Sequence, residues 1–334
     1  MRWTCASWTR CLRWPTWTAW PSERRPAVQY VIRRLGHAVV VIFGAVSLMF
    51  VILRLVPGDP AIVYAGPSAT PEQIDVVRGE LGLDQPLYVQ YVSFLGDLVR
   101  GDLGESLRLG GSAVSAVADR LPATGLLALS AMGLAVLLSF PLGIAAARRA
   151  RTAVDYSIST FSLLGQSLPN FWLGLVAILV FSRALGLTPS SGWGTWQHLI
   201  LPAIVLSLPL LGVLVRLVRA GLIEVMGEPY ILTARSKGLT GRVILYRHAM
   251  KNMLIPVITV AGLQLGQLLS GTVIVEVVFA WPGVGRLLID AISNRDFAVV
   301  QAVVMLAAFT FVMLNLIVDL LYGYLDPRVR LEAK

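Results

Sequence analysis

Residues 199–215, with the sequence LILPAIVLSLPLLGVLV, include no Asp, Glu, Lys or Arg. As a helix rising 1.5 Å per residue, this stretch is about 26 Å long, close to the roughly 30 Å thickness of the hydrocarbon core of a bilayer. Five other stretches are similarly apolar and carry no charge at their centres: residues 34–56, 122–147, 156–182, 252–275 and 297–318. The sequence therefore predicts an all-α integral membrane protein with six transmembrane helices.

The composition supports the same fold class. Of the 334 residues, 56% are hydrophobic and 14% are charged, whereas about a quarter of the residues in a soluble domain are charged. The two cysteines, Cys5 and Cys11, provide neither a disulfide framework nor a CxxC pair for metal or redox chemistry. The net charge of +9 is interleaved with the apolar stretches, so the sequence does not predict a nucleic-acid partner.

The distribution of lysine and arginine predicts the orientation in the membrane. If the N-terminus is inside, the inner segments hold 20 of the 28 basic residues, as the positive-inside rule requires. Both termini are therefore predicted to be cytoplasmic. The leader, residues 1–29, is rich in tryptophan and arginine but lacks the continuous apolar centre of a signal peptide. It is interpreted either as an interfacial anchor or as a poorly ordered tail.

The outer segment, residues 57–121, is too long to be a simple connection. Apolar residues at helical spacing predict one helix over residues 71–81, capped by Thr70, and a second over residues 88–99. Two interpretations stay open for this segment. It is either a lid packed on the outer mouth of the protein or a docking site for an extracellular partner.

The inner segment between the fourth and fifth spans is interrupted by Pro229 and Gly238, which predict a short helix, a turn and a further helix. Gly238 suits a left-handed helix terminus, and Arg235 and Lys237 in the last turn complement the helix dipole. Such a helix, with an apolar stripe formed by Tyr230, Ile231 and Ala234, suits insertion into a groove on a soluble partner. The alternative is that it lies on the lipid headgroups.

Residues 228–239, EPYILTARSKGL, followed by His248, Asn252 and Pro256, resemble the cytoplasmic coupling segment (the EAA loop) of binding-protein-dependent ABC importer permeases. Further stretches resemble the peptide/nickel branch of that family: residues 56–60 (VPGDP), 81–87 (LGLDQPL), 101–104 (GDLG) and 278–285 (VFAWPGVG). The resemblance extends from about residue 28 to residue 330. One departure is Leu232, which stands where the general motif has an acidic residue.

The resemblance implies a type I permease fold, divided into the leader, a first transmembrane helix, the outer loop region, a permease domain with its coupling segment, and a tail: residues 1–29, 30–56, 57–121, 122–325 (coupling segment 224–248) and 326–334. It implies a multi-pass location in the cytoplasmic membrane of a bacterium or archaeon. The expected partners are a homologous second permease, two ATP-binding cassette subunits and an extracytoplasmic substrate-binding protein, besides the lipid membrane.

No catalytic site is predicted in this chain, and ATP with its Mg²⁺ is expected to bind to the partner ATPase subunits. A P-loop requires Gly-Lys-Ser or Gly-Lys-Thr, and the three lysines follow Ser, Met and Ala. The three histidines, His37, His198 and His248, lie at separate predicted membrane boundaries. The sequence therefore predicts neither a cofactor nor a metal site.

The resemblance assigns two groups of contact residues. The first, in the coupling segment, is expected to contact the ATPase: Glu228, Tyr230, Ala234, Arg235, Lys237, Gly238 and Leu239. The second, at the outer mouth, is expected to contact the binding protein: Asp84, Asp102, Trp281, Pro282 and Gly283. The segment that contains Trp281 is predicted to form a re-entrant turn, because two glycines and a proline permit close backbone packing. The alternative is a tight loop in which Trp281 is an interfacial anchor.

Polar residues inside the spans are candidates for the translocation pathway, because they are costly unless they face protein or water. Gln264, Gln267 and Ser270 form one polar stripe at helical spacing in the fifth span. Glu276, near its outer end, is expected to hold a cargo amine or to meet water. The alternative for the stripe is a set of interhelical hydrogen bonds that hold the bundle together.

A rival function is that of an ATP-independent carrier or channel. Such a protein is expected to show an internal repeat or paired ionisable residues at mid-membrane, and the sequence displays neither. The favoured interpretation is a pore-forming importer subunit without enzymatic activity of its own. The cargo is not readable from the sequence, and peptides are preferred over nickel or other small solutes on the frequency of each in the family.

Overall fold

A computed structural model describes residues 27–55, 59–66, 69–80, 82–106 and 108–325. Most of the predicted leader and the whole predicted tail lie outside the described residues. Among these residues, five helices are long and apolar enough to cross a membrane, and a sharply bent helix pair makes a sixth crossing when the pair is counted as one span. The structure therefore confirms the all-α membrane fold, and an even number of crossings returns the chain to the side on which it began.

The membrane-spanning segments agree with the sequence in number and order. They are formed by α1 (Ala27–Leu55), α5 with α6 (Ala113–Ala118 and Leu121–Arg148), α7 with α8 (Ala153–Ser167 and Asn170–Ala177), α9 (Trp196–Met226), α12 (Met250–Val278) and α14 (Phe297–Leu325). A π-helical segment, Ile178–Ala184, continues α8. The third predicted span, residues 156–182, is thus not one helix.

The bend in the third span has a local cause. Helices α7 and α8 meet at an angle of 108°, and the two residues between them, Leu168 and Pro169, both have extended backbones. Proline disfavours the helical conformation in the residue before it, so α7 ends one residue earlier, at Ser167. Pro169 therefore separates two helices within this span.

Helix α9 is the central element of the bundle. In its most apolar stretch, 61% is buried inside the protein, whereas the corresponding stretches of the other continuous spans are 22–33% buried. Val218 packs against Gly143 of α6, Gly212 packs against the backbone of α7, and Leu206 packs against Gly271 of α12. Helix α14 in turn contacts both α12 and α1. The large apolar core therefore surrounds α9, and α1 lies at the edge of the bundle.

The outer segment folds as four helices and a short hairpin. These elements are α2 (Pro60–Ala65), α3 (Pro71–Glu80), α4 (Leu87–Arg100), the strands β1 (Glu105–Ser106) and β2 (Gly111–Ser112), and α5. Thr70 and Gln73 exchange side-chain to backbone hydrogen bonds at the start of α3, which is a capping box. Both predicted outer helices are therefore confirmed, as is the cap at Thr70.

This outer region is packed onto the membrane helices. Tyr91 and Phe94 of α4 contact Phe50 of α1. Ser106 donates a hydrogen bond to Asp296, whose other carboxylate oxygen accepts from the backbone N–H of Val299 in the first turn of α14. The segment therefore covers the outer ends of α1 and α14, which supports the lid interpretation without excluding a docking role.

Candidate functional site

The coupling segment forms a short helix between α9 and α12, two of the membrane-spanning helices. Helix α9 ends at Met226, α10 (Pro229–Ser236) follows after two residues, and α11 (Gly241–Val243) leads through a π-helical segment, Ile244–Ala249, into α12. Pro229 occupies the first helical position of α10, where a missing N–H costs nothing. The predicted succession of a short helix, a turn and a further helix is confirmed.

The end of α10 is determined by Gly238. Its N–H donates to the carbonyl of Arg235 at 2.9 Å, and the N–H of Leu239 donates to the carbonyl of Ala234 at 3.3 Å. These two bonds define a Schellman motif, which requires a positive φ at the residue after the cap. Gly238 has a φ of 76°, so the predicted left-handed terminus is confirmed.

Two contacts hold α10 against the rest of the chain. Ile231 and Ala234 are buried in a small apolar cluster with Ile244, and Met226 packs against it. Asn252, in the first turn of α12, donates a hydrogen bond to the hydroxyl of Tyr230 at 2.8 Å. Helix α10 is therefore attached both to the end of α9 and to the start of α12.

The outward surface of α10 differs from the one that the sequence suggested. The buried positions of its predicted apolar stripe, Ile231 and Ala234, face this chain and are not available to a partner. Six of the seven predicted contact residues are exposed: Glu228, Tyr230, Arg235, Lys237, Gly238 and Leu239. Leu232, which was not among the predicted contacts, is 55% exposed and Leu239 is 38% exposed. Their contact with an ATPase stays a prediction, and Ala234 contributes to it only by fixing the position of α10.

The polar stripe of α12 is partly on the surface. Gln267 and Ser270 are exposed, and Gln264 is half-buried. Gly271 and Met253 face α9, whereas Gly262 packs against Val318 of α14. Successive residues of a helix lie 100° apart around its axis. On this count, Gln267 and Ser270 of α12 lie in the uncovered sector between the side that faces α9 and the side that faces α14.

Helix α9 has a corresponding uncovered sector. Leu206 contacts α12, Val218 contacts α6 and Gly212 contacts α7. These three contacts lie about 120° apart around the axis of α9 by the same count. Arg216 is exposed and lies between the α7 contact and the α12 contact. Its Nη2 atom donates to Gln166 Oε1 of α7 at 2.6 Å.

These two uncovered sectors lie on the same side of the bundle. Leu206 pairs with Gly271 and Gly221 pairs with Met253, so α9 and α12 run in opposite directions. On α9 the uncovered sector runs, with increasing residue number, from the α7 contact to the α12 contact, and on α12 it runs from the α14 contact to the α9 contact. Because right-handed helices that run in opposite directions turn in opposite senses when viewed from one end, these two sectors face the same side of the bundle. Four exposed polar side chains, which we call the polar face, therefore share this side: Gln166, Arg216, Gln267 and Ser270.

Glu276 is placed differently from its prediction. The residue is 0% exposed, and its carboxylate accepts hydrogen bonds from the Thr124 hydroxyl at 2.6 Å and from the backbone N–H of Arg286 at 3.0 Å. Arg286 lies in the first turn of α13 (Val284–Ser293), whose cap residue Gly283 has no side chain. Glu276 therefore caps α13 from another helix, and the expectation that it meets water is wrong. A role for it in the pathway is not favoured by this burial.

The re-entrant turn between α12 and α13 is also an interior element. Trp281 is buried; its indole N–H donates to the carbonyl of Ala123 at 2.9 Å, and its ring lies edge-on to Trp193. A Cβ atom on Gly283 would lie 2.2 Å from the Glu276 carboxylate. The predicted need for glycine at this close approach is confirmed, whereas the alternative of an interfacial Trp281 anchor is wrong.

The predicted outer contact residues consequently divide into two groups. Asp84 and Asp102 are exposed and Pro282 is half-buried, so their contact with a binding protein stays a prediction. Trp281 and Gly283 are enclosed by α6, α12 and α13, and a direct contact through them is contradicted by this packing. The physical reason is that the large aromatic ring and its N–H both find partners inside the protein.

The sequence interpretation missed two polar pairs. Asp155 at the start of α7 accepts from Arg219 Nε and Nη2 at 2.5 and 2.7 Å, and from the backbone N–H of Arg151. A lone acidic residue among the arginines of the inner side was the available signal for this pair. The pair of Arg216 with Gln166 joins residues 50 positions apart, and nothing in the sequence indicates it. Within the described ranges, no group of three His, Cys, Asp or Glu residues is suited to hold a metal ion.

Residues 139–331 match the model of the binding-protein-dependent transport system inner membrane component, and residues 27–128 match the model of the N-terminal part of such membrane components. The di/tripeptide transport system permease protein DppB of Pseudomonas aeruginosa is 40% identical over 332 residues, covering 91% of this chain and 99% of DppB. The glutathione transport system permease protein GsiC of Escherichia coli K12 is 40% identical over 303 residues, covering 91% and 99%.

Solved structures agree in fold. The methionine ABC transporter MetNI in an inward-facing conformation matches with a TM-score of 0.53 at 16% identity, over 63% of this chain and 96% of that one. An amino acid ABC transporter crystallised with histidines matches with a TM-score of 0.51 at 14% identity, over 63% and 94%. On the family models and the sequence relatives, this chain belongs to the binding-protein-dependent transport system inner membrane component family and is a multi-pass permease subunit of an ABC importer in the inner membrane.

Proposed function

We propose that this chain forms half of the pathway through which an ATP-driven importer moves peptides that an extracytoplasmic binding protein delivers. A homologous second permease supplies the other half, and two cytoplasmic ATP-binding cassette subunits bind ATP and Mg²⁺. The observation that carries the proposal is the position of α10. This exposed helix is attached to both α9 and α12, and these two helices supply three of the four residues of the polar face.

The polar face suits a surface that is covered by protein or water. Exposed Gln, Ser and Arg side chains on membrane helices are costly against lipid, and the remainder of the exposed surface of these helices is largely apolar. A second permease opposite this face would enclose a polar passage between the two chains. The alternative role of interhelical hydrogen bonding applies to Gln166 and Arg216 within this chain, but not to Gln267 and Ser270, for which no partner is seen in the described part.

The attachments of α10 support a mechanism for coupling. When ATP draws the two ATPase subunits together, their hold on Leu232, Arg235 and Leu239 displaces α10. Because α10 is joined to Met226 by two residues and to Asn252 by a hydrogen bond, the cytoplasmic ends of α9 and α12 move with it. The pathway then exchanges inward for outward access, and the energy comes from differential binding of the two states.

Peptide cargo is supported by the names of the relatives, which are described as di/tripeptide and glutathione permeases. Their sequences align over nine-tenths of this chain, including the outer segment. Nickel or another small solute is named by neither of these two relatives.

The proposal is tested by isolating the protein with its native partners. We expect the purified assembly to contain a second permease and two ATPase chains, and its proteoliposomes to take up peptides only with ATP and the binding protein. Peptide uptake by the lone chain without ATP would instead establish the rival carrier. Uptake of a non-peptide solute by the complete assembly would retain the importer and reject the cargo.

A further inference from the structure

Arg216 presents a cation on the polar face and directs it into the membrane. Gly212, one helical turn toward the outer side, lies beside Gln166: a Cβ on Gly212 would be 3.5 Å from Cβ of Gln166. The Arg216 guanidinium reaches this same glutamine. The side chain is therefore directed away from the cytoplasmic headgroups, the opposite of the snorkelling that a basic residue at a membrane boundary normally shows.

The depth of this guanidinium follows from α7. Gln166 lies 13 residues beyond Ala153, where α7 begins, which is roughly 20 Å along the helix at 1.5 Å per residue. A glutamine side chain is about 5 Å long, so the guanidinium lies on the order of 15 Å inside the cytoplasmic end of α7. A cation inside a bundle of membrane helices requires water or protein around it.

The neighbouring arginine provides an internal contrast. Arg219 is bound through two nitrogens to the buried Asp155, so its charge is neutralised within the chain. Arg216 bonds to an uncharged amide, and none of the ion pairs among the described residues includes it. One arginine is thus structural, whereas the other carries an uncompensated positive charge on an exposed surface.

The guanidinium geometry points to one class of ligand. Arginine has five N–H donors in a rigid planar arrangement that matches a carboxylate through two parallel bonds. Gln166 occupies one donor of Arg216 and holds the group in position, which leaves the others available. Every peptide with an unmodified C-terminus carries a carboxylate.

We infer that Arg216, positioned by Gln166, binds the carboxylate of the peptide during its passage along the polar face. This inference rests on the proposed import of peptides. It assigns a preference for anionic cargo ends to the permease itself, independently of the binding protein. The interaction is a transient one, because a single charged pair open to water provides only modest affinity.

The experiment uses proteoliposomes that contain the complete importer and its binding protein. The probes are a mixed dipeptide library and the same library amidated at the C-terminus, with uptake measured by mass spectrometry. Arg216→Gln is expected to lower uptake of the acids about tenfold, as loss of a charged hydrogen bond would, and to change uptake of the amides less than twofold. Because the binding protein is unchanged, the altered ratio isolates the permease.

A charge series at the same position gives a second readout. Arg216→Lys keeps the charge but not the planar fork and should retain about one third of the acid uptake, whereas Arg216→Glu should fall below Arg216→Gln. Arg219→Gln is the matched structural control and should lower the amount of folded protein without altering the acid-to-amide ratio. If the binding protein does not deliver the amides, the order Arg, Lys, Gln, Glu in acid uptake decides the question.

Two results would overturn the inference. One is equal loss of acid and amide uptake in Arg216→Gln, which would mean that Arg216 pairs with the second permease. The other is acid uptake that does not depend on the charge at position 216. A failure of the proposed function is distinct, since the wild-type assembly would then take up neither library.

Discussion

The coupling segment and the outer turn are both short glycine-containing connections, one on each side of the membrane. In the coupling segment, α10 rests on two buried residues, Ile231 and Ala234, and exposes most of its other side chains. In the outer turn, Trp281 and Gly283 are buried, and Glu276 binds the backbone of α13. The first connection is shaped by its own backbone, and the second by residues from distant parts of the chain.

This difference indicates different uses. A segment that must follow a partner can be held by a small apolar cluster, because a few contacts allow it to move as a unit. A segment enclosed by three helices, with its polar groups bonded to Thr124 and Ala123, stabilises the outer end of the bundle instead. Substitutions in the outer turn should therefore change stability, and substitutions on α10 should change coupling.

The largest expected effect is that of Gly283→Ala. The added methyl group would overlap the Glu276 carboxylate, which is fully buried and hydrogen-bonded, so we expect the free energy of unfolding to fall by about 3 kcal/mol. Thermal unfolding of the purified protein measures it. The control is Gly125→Ala, where an added Cβ meets nothing within 4 Å. A melting temperature within a degree of wild type for Gly283→Ala would contradict the described packing.

The second effect tests the other half of the comparison. Replacing the exposed Leu232 and Leu239 with Ala should leave the melting temperature unchanged but reduce ATP-dependent uptake at least tenfold, because the ATPase loses two apolar contacts of about 1 kcal/mol or more each. The amount of ATPase retained during affinity purification of this chain should fall in parallel. The control is Leu109→Ala on the outer hairpin, a leucine that is 54% exposed. Wild-type uptake in the double variant would show that α10 is not the coupling element.

A third pair of substitutions compares the backbones of the two connections. Each connection contains a residue with a left-handed backbone that follows a helix end. These residues are Gly238 after α10 and Ala280 after α12, with φ angles of 76° and 50°. We expect Gly238→Ala to lower the free energy of unfolding by about 1 kcal/mol and Ala280→Gly to raise it by about 0.5 kcal/mol. Chemical unfolding measures both. Gly241→Ala, in open space without a positive φ, should be nearly neutral, and equal effects at all three positions would contradict the assignment.

The smallest expected effect concerns pH and the outer segment. The Arg78 guanidinium, together with the Ala61 backbone N–H, holds the pKa of Asp59 below its usual value, where Asp59 caps α2. The resulting stabilisation is present above the ordinary pKa of about 3.9 and is lost as pH falls through the lowered value. It is small, because both side chains are about one third exposed.

Hydrogen exchange corrected for intrinsic rates measures this change. Protection of the Ala61 amide should decrease between about pH 4 and pH 2 in the wild type but not in Asp59→Asn. The amides of Gly238 and Leu239, which bond to backbone carbonyls, should show no such change. A pH-independent Ala61 amide would show that the carboxylate does not form the cap.

Features that depend on neighbouring residues were predictable from the sequence. The apolar stretches gave the number of spans, Thr70 marked the start of α3, and Gly238 marked the end of α10, because hydrophobic periodicity and capping operate over a few residues. The sharp bend at Pro169 was missed although its cause is local, since proline is tolerated in some membrane helices and the sequence does not state whether neighbours accommodate it.

The sequence by itself thus determined the membrane fold, the six crossings and the exposed coupling helix. Only the tertiary structure decided that Glu276 is buried, that Trp281 is an interior residue, and that Arg216 and Gln166 share one face with Gln267. The physical reason is that burial and partnership at these positions depend on which helices pack side by side. Such contacts join residues from 50 to 158 positions apart, well beyond the range over which a sequence pattern acts.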